Sequence, residues 1–521
     1  MSSQSKRVAI IGAGTSGLAA IKELVAAGIE VQCFESASKL GGQWLYEPNP
    51  TPESHSSIYR GLVVNSCRDS SCFSDFPIDP ARYPIFYPHD LHLRYIGEWA
   101  AHFDLEKHVR FGVSVVGCAP RKEGGWEVRV RSNADKAEEE VFNFDAVICG
   151  SGLSRRPKIP EFPGREAFEG EVLHSHFYRT PTPFDGKKVV VVGLGSTAVD
   201  LACEIGPLAK ELHVVNKRGA WIIPRFLLGK PAEAWNSRSS ATWIPFSVQA
   251  FLYDKILAHA LGPPPAVLKP DHKIMEQNPS VRGDFVEKLQ SGVFSLHRAN
   301  VSSFTASGVV LDDGSAIDAD VVILCTGYHH ADLPYLPPGA LAARDAPAPH
   351  VDLYKSVVPP RMKDLFVMGQ VEVAGPAIPI IEAQARYITA ILTGKLELPG
   401  EEAMMRDIKE FRAWQGRHFV NSERHTMTVE YNPYIDGLLA PLGAVPSGWR
   451  LLWRVFSSGR PGRAFSVYKA VFFDIQIGAQ WRLDGDGACR ELAEETLIRM
   501  ASGADRLSDA EKALLGLLSP L

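Results

Sequence analysis

The chain has 521 residues, 45% of them hydrophobic and 22% charged, with a formal net charge of −5. That length asks for two or more domains, and a mild acidic balance without a long basic run argues against nucleic acid as a partner. No apolar run approaches the roughly 20 residues a membrane-spanning helix needs.

In chain order, Val8 to Ile11 reads as a buried strand, and its early start leaves no room for a signal peptide. Gly12, Gly14 and Gly17 follow at G-x-G-x-x-G spacing, with Ser16 among them. Leu18, Ile21, Leu24 and Val25 then recur at helical intervals, and Gly28 closes the helix. A second strand, Glu30 to Phe34, ends in Glu35. This is the dinucleotide-binding fingerprint. The first glycine makes the turn, the second admits a pyrophosphate, and the third packs helix on strand. The acid can accept hydrogen bonds from a ribose. A free carboxylate there would repel a 2′-phosphate, so this site suits FAD or NAD.

Gly41, Gly42, Gln43 and Trp44 come next. Two glycines allow close approach to a ligand, and Trp44 either walls an aromatic ring system or is simply packed. Cys67 and Cys72 have the spacing of the redox pair of flavin disulfide reductases, but they lie well downstream of the glycine pair, so two buried thiols are the preferred reading. The eight cysteines include no zinc-type C-x-x-C pair and fit a reducing compartment. The cytosol, or the cytosolic face of a membrane, is the expected location. Residues 109–151 read as a β-meander of Val109–Gly117, Trp126–Arg131 and Glu140–Cys149.

The fingerprint then repeats. Lys188 to Val192 is a strand, and Gly193, Gly195, Ser196, Thr197 and Ala198 open a helix. Leu212–Val215 is the next strand, and it ends in Asn216-Lys217-Arg218 where the first unit has Glu35. Losing the acid and gaining Lys217 and Arg218 is the change a 2′-phosphate requires. A second short meander over 301–324 closes on Val321–Leu324, and Thr326 and Gly327 follow it as Gly150 to Gly152 follow Ala146–Cys149. The expected fold is α/β: two Rossmann-like dinucleotide-binding domains, the NADP domain inserted in the FAD domain, plus a helical C-terminal extension. The boundaries drawn are 1–182 and 319–400 for the FAD domain, 183–318 for the NADP domain, and 401–521 for a mainly helical region packed on the FAD domain. No metal site is expected, since His329-His330 lacks acidic or cysteine partners.

Phe168, Gly170, His174 and Tyr178 match F-x-G-x-x-x-H-x-x-x-Y. With both fingerprints, this resembles the flavin-containing monooxygenase family, dimethylaniline monooxygenase-like, over nearly the whole chain. Baeyer–Villiger monooxygenases are similar but usually carry Trp-Pro where Tyr178-Arg179 stands here. Asn65 to Pro77, Leu353–Lys355, Glu382–Arg386 and Gly478–Leu483 also resemble segments of the mammalian-type enzymes. The resemblance implies FAD and NADPH as cofactors, and insertion of one oxygen atom from O2 into an amine nitrogen or a sulfide sulfur through a hydroperoxyflavin. Ketone oxygenation and a disulfide reductase using Cys67 and Cys72 are the alternatives. It implies Asn65 as the active-site amide, Gln43, Trp44 and Gln384 as flavin contacts, Lys217 or Arg218 as the 2′-phosphate ligand, and structural roles for His174, His176 and Tyr178.

Three features are left open. Trp449–Phe456, with Arg460 and Arg463 near, can lie on a membrane surface or pack on the protein; packing is preferred. Trp235, Trp243, Phe246 and Phe251 either cover the substrate entrance or form a helical cap. Ser508 to Leu515 opens a short amphipathic helix with a capping box. A homodimer stays open as well.

Overall fold

The computed structural model describes residues 6–134, 138–330, 333–342, 351–420 and 427–501; the helix expected at 508–515 lies outside them. Two five-stranded sheets organise the fold. In the first, the order is Leu365–Val367, Ala146–Cys149, Arg7–Ile11, Glu30–Phe34 and Val109–Arg110, every neighbour parallel. Val8, Ala9 and Ile10 are fully buried, as a strand covered on both faces demands. The second sheet runs Ser295–His297, Glu211–Val215, Lys188–Val192, Val321–Leu324 and Glu171–His174, again all parallel.

Each fingerprint strand therefore sits third of five. Its chain-successor lies on one side and a strand returning from a distance on the other. That reversal is where open α/β sheets bind ligands. Each returning strand is preceded by an antiparallel three-strand sheet, Val113–Ser132 with Glu139–Phe144 in one case and Val301–Asp318 in the other.

Two expectations need correction. The stretch 109–149 is not one meander. Val109–Arg110 and Ala146–Cys149 peel off into the parallel sheet, and only the strands between them pair antiparallel. The boundary at 318/319 also fails, because Val321–Leu324 pairs with Lys188–Val192 in the second sheet. A fully buried parallel strand reads the same whichever sheet it joins. The first sheet is completed later, by Leu365–Val367. The chain passes between the sheets through one antiparallel ribbon, Arg156–Pro157 against Tyr328–His329.

Helix Ala377–Leu392 packs on helix Thr15–Ala26, and the C-terminal helices Glu401–His418 and Tyr431–Leu439 close over them. Arg482, 3% exposed, is the lock. Its guanidinium lies 2.7 Å from Glu23 and 2.7 Å from Glu382. Glu23, Asp75 and Glu382 thus form an acidic trio paired with Arg482 and with Lys22, the latter on Asp75.

Helix Gly448–Ser457 departs from the preferred reading. It buries only Leu451, while Trp449, Trp453 and Phe456 are 76%, 62% and 78% exposed. Among the described residues no helix is long and apolar enough to cross a membrane.

Candidate functional site

The first cradle is built by close backbone approach. A Cβ on Gly17 would lie 1.8 Å from the Gly12 carbonyl oxygen, and one on Gly42 would lie 2.8 Å from the Gly14 Cα. Helix Thr15–Ala26 starts immediately after Gly14, with neither a side-chain cap nor an acid in its first turn. Its first N–H groups are thus available to a diphosphate, and Ser16 sits among them. Glu35, 7% exposed, accepts from Ala13 N (2.6 Å) and Ala37 N (2.7 Å). It fixes the glycine loop and keeps lone pairs for a ribose hydroxyl.

Gly41 N–H bonds the Ala13 carbonyl, which docks the second glycine pair on the first loop. Gln43 donates to Ser57 Oγ at 2.5 Å, and the Trp44 ring lies 4.0 Å from the His92 ring, both centroids considered. Burial pushes His92 down to about 3, so it is a neutral ring behind Trp44. Gln384 is fully buried, and both ends of its amide are used inside the protein: it accepts from Gly369 N (2.9 Å) and donates to Tyr434 OH (2.7 Å). It anchors the turn at Gly369, where a Cβ would meet Ser16 Oγ at 2.6 Å.

The second cradle repeats the plan. Gly193 has φ +117°, and a Cβ there would lie 2.5 Å from the Cys325 carbonyl oxygen. Gly195 precedes helix Ser196–Ile205, which also lacks a side-chain cap and a first-turn acid. Ser196 is exposed and Thr197 half-buried. The two cations behind this cradle are not equivalent. Lys217 is paired with Asp312 at 2.9 Å, whereas Arg218 is exposed and holds no ion pair among the described residues. Thr326 donates to the Lys158 carbonyl (2.5 Å) and Gly327 accepts from Lys158 N (2.8 Å), which places both in the crossing between the sheets.

A cavity of about 400 Å³ joins the two halves, since its lining includes Asn65, carried by the first, and Ser196, from the second. The loop bearing Asn65 is tied to the segment before helix His89–His102 by Val64 N to Tyr87 O and Arg68 N to Ile85 O. Asn65 Oδ1 accepts from Arg225 at 3.1 Å, and Arg225 also donates to the Val63 carbonyl. Glu233 accepts from Cys67 N and from Ser70 Oγ, and burial raises its carboxyl above the usual range. Phe246, Tyr253 and Leu257 line the cavity, so helix Phe246–Leu261 serves as a wall. Trp235 packs under it with its indole N–H on the Leu227 carbonyl, while Trp243 and Phe251 are each 58% exposed.

Cys67 and Cys72 are free and buried, and burial raises both thiols, Cys72 to about 12. Burial disfavours the thiolate that a redox pair needs, so this reading is not favoured. His174 accepts from His176 N, His176 bonds the Ser54 carbonyl, and Tyr178 donates to Glu204 at 2.7 Å. Burial lowers His174 to about 4. These residues brace the passage between the sheets. Arg225, Glu233 and His92 were missed from sequence. No motif or spacing announces them, because each reaches the site across a long stretch of chain.

A family model described as flavin-binding monooxygenase-like matches residues 5–499. The human protein named flavin-containing monooxygenase 5 is 34% identical over 456 residues, covering 85% of this chain and 84% of the relative. The solved S-allyl-L-cysteine S-oxygenase of Allium sativum superposes with a TM-score of 0.65 at 24% identity, over 96% of this chain and 99% of that one. Cyclohexanone monooxygenase of Rhodococcus sp. Phi1, solved bound to NADP+, superposes with a TM-score of 0.59 at 18% identity, over 84% and 98%. The last two likenesses speak for the fold. Two glycine cradles, opposite charges behind them and the match along nearly all the chain converge: it belongs to the flavin-containing monooxygenase family, oxidoreductases that use FAD and NADPH.

Proposed function

We propose that this chain inserts one oxygen atom of O2 into a soft nucleophile, an amine nitrogen or a sulfide sulfur, in the cavity bounded by Asn65 and Ser196. The observation that carries the reading is that one cavity is lined both by Asn65, on a loop of the first half, and by Ser196, of the second cradle. Bound FAD supplies the electrons, taken from NADPH, that activate dioxygen. The first cradle holds the flavin's diphosphate at the N-terminus of helix Thr15–Ala26, with Glu35 toward its ribose. Ser196 and Thr197 hold the diphosphate of NADPH, and Arg218 takes its 2′-phosphate. Asn65, steadied by Arg225, offers a neutral amide, which adds no charge where a reactive oxygen species must be sheltered. Apolar walls from Ile223, Phe246 and Leu257 limit water. The FAD domain then comprises the first sheet and the NADP domain the second.

The test is Asn65→Asp. The variant should keep its flavin and oxidise NADPH, but yield at least about tenfold less oxygenated product, the remainder appearing as hydrogen peroxide. Product formation equal to the parent's would remove Asn65 from the site. A mass screen of amines, sulfides and ketones decides the oxygen acceptor, and an ester from a ketone as main product would replace this reading.

We infer also that the protein is cytoplasmic and rests on a membrane surface through helix Gly448–Ser457. Trp449, Trp453 and Phe456 form an exposed aromatic face, with Arg450 and Arg460 able to meet anionic headgroups. Flotation with anionic phospholipid vesicles should carry the parent and not a triple serine variant. If the serines instead convert a dimer to a monomer without changing flotation, the face is a subunit contact.

A further inference from the structure

The cavity beside Asn65 is unlike the usual apolar pocket, because its lining includes several buried, unsatisfied polar atoms. Asn432 is 3% exposed, yet neither its Oδ1 nor its Nδ2 has a partner. Gln476 (6% exposed) donates to the Asn236 carbonyl at 2.6 Å, which fixes its amide and leaves its Oε1 unpaired. Asn236 Oδ1, Thr428 Oγ1 and Tyr431 OH are likewise buried without partners. All five residues line the same cavity. Glu430 lines it too, and its side chain makes no hydrogen bond or ion pair among the described residues. Burial raises its carboxyl.

Each such orphan costs about 1–3 kcal/mol in a folded protein. Native structures tolerate only a few. Here they line one cavity, and most of them accept rather than donate: the Glu430 carboxylate, Asn432 Oδ1, Gln476 Oε1 and Asn236 Oδ1. Tyr431 and Thr428 can accept as well as donate. A hydrocarbon ligand would leave all of these unpaired, and an anion would meet acceptors. A group with several N–H donors and a positive charge satisfies them together and favours the charged form of the Glu430 carboxyl. Arg225, the cation lining the cavity, is engaged with Val63 and Asn65 and does not oppose this.

We propose that Glu430, Asn432, Gln476 and Asn236 form a docking site for a cationic head, an ammonium or guanidinium, separate from the atom that receives oxygen. The substrates are then amphiphilic molecules with two functions: a soft nitrogen or sulfur at one point and a charged, donor-rich head at another. This rests on the reading of the same cavity as the place of oxygen insertion.

Three thioethers of equal length test it, ending in ammonium, hydroxyl or methyl, given to the FAD-loaded enzyme. Sulfoxide is followed by mass, and binding to the NADP+-loaded oxidised enzyme by calorimetry. The ammonium-ended probe should show KM and Kd at least about tenfold below those of the methyl-ended one. Glu430→Gln should bring that ratio close to one, and Asn432→Leu should reduce it. Equal values for all three probes, a preference for the methyl-ended one, or an ammonium preference untouched by Glu430→Gln would overturn the docking site. If the ammonium-ended probe binds selectively but no probe becomes a sulfoxide, the docking site stands and the oxygenation assigned to the cavity falls.

Discussion

The two dinucleotide cradles share one plan and differ in how the rest of the molecule holds them. In each, a parallel strand third of five leads into an uncapped helix across a glycine that tolerates no Cβ. The first is clamped from outside: Arg482, far along the chain, pairs with Glu23 on the fingerprint helix itself. The second is held mostly from nearer by: on its fingerprint helix Asp200 pairs with Arg282 at 3.2 Å and accepts from Tyr59, and Glu204 accepts from Tyr178. The charge behind the second strand also inverts, from a buried carboxylate held by backbone N–H groups to an exposed guanidinium. The comparison teaches that the backbone shape of the cradle repeats while the charge behind it inverts.

The largest effect should come from removing the lock. Arg482→Met leaves Glu23 and Glu382 buried without their cation and should cost about 3–5 kcal/mol in denaturant unfolding. The pH dependence has a definite sign. Burial alone would raise Glu23, but Arg482 and Lys22 hold it at about 2, below its ordinary value of 4.5. Its contribution is therefore whole above pH 4.5 and is lost as pH falls from there toward 2. The gap between parent and variant should narrow over that range.

Next comes one fingerprint glycine from each cradle. Gly17→Ala should destabilise by about 3 kcal/mol, the upper end for overpacking, and yield a protein poor in flavin. Gly193→Ala should keep the yellow colour and lose NADPH affinity. If both variants lose flavin alike, the two cradles do not act separately. Arg218→Ala should raise KM for NADPH by about 10- to 100-fold, the size of a lost charge-assisted pair, and leave NADH nearly unaffected. Lys217→Ala should do less, because Lys217 is already spent on Asp312. The smallest effect belongs to the paired change Cys67→Ser with Cys72→Ser, which should cost about 1 kcal/mol of stability and leave turnover intact.

Both cradles were legible in the chain because their information is local. Buried strand, glycine spacing, helical period and terminal charge all fall within one short stretch. What was not legible is where a buried strand goes. Val321–Leu324 carries the same apolar run in either sheet, and only its partner, Lys188–Val192, decides. Gln384 shows a second limit. Its type suits a flavin contact, but its direction is set by Gly369 and Tyr434, which the pattern around it does not encode. Helix Gly448–Ser457 shows a third: an amphipathic period says that one face is apolar, not that the protein supplies something to cover it.

The ribbon of Arg156–Pro157 and Tyr328–His329 has a consequence for how such a molecule could arise. The strand leaving the first sheet and the strand returning to it lie side by side, so the covalent path to the second sheet and back passes one doorway. Adding or swapping a module there requires no rethreading of the host, whose own ends at that point already meet. Reshuffling at this doorway would let the body built on the first sheet be fitted with a different second sheet.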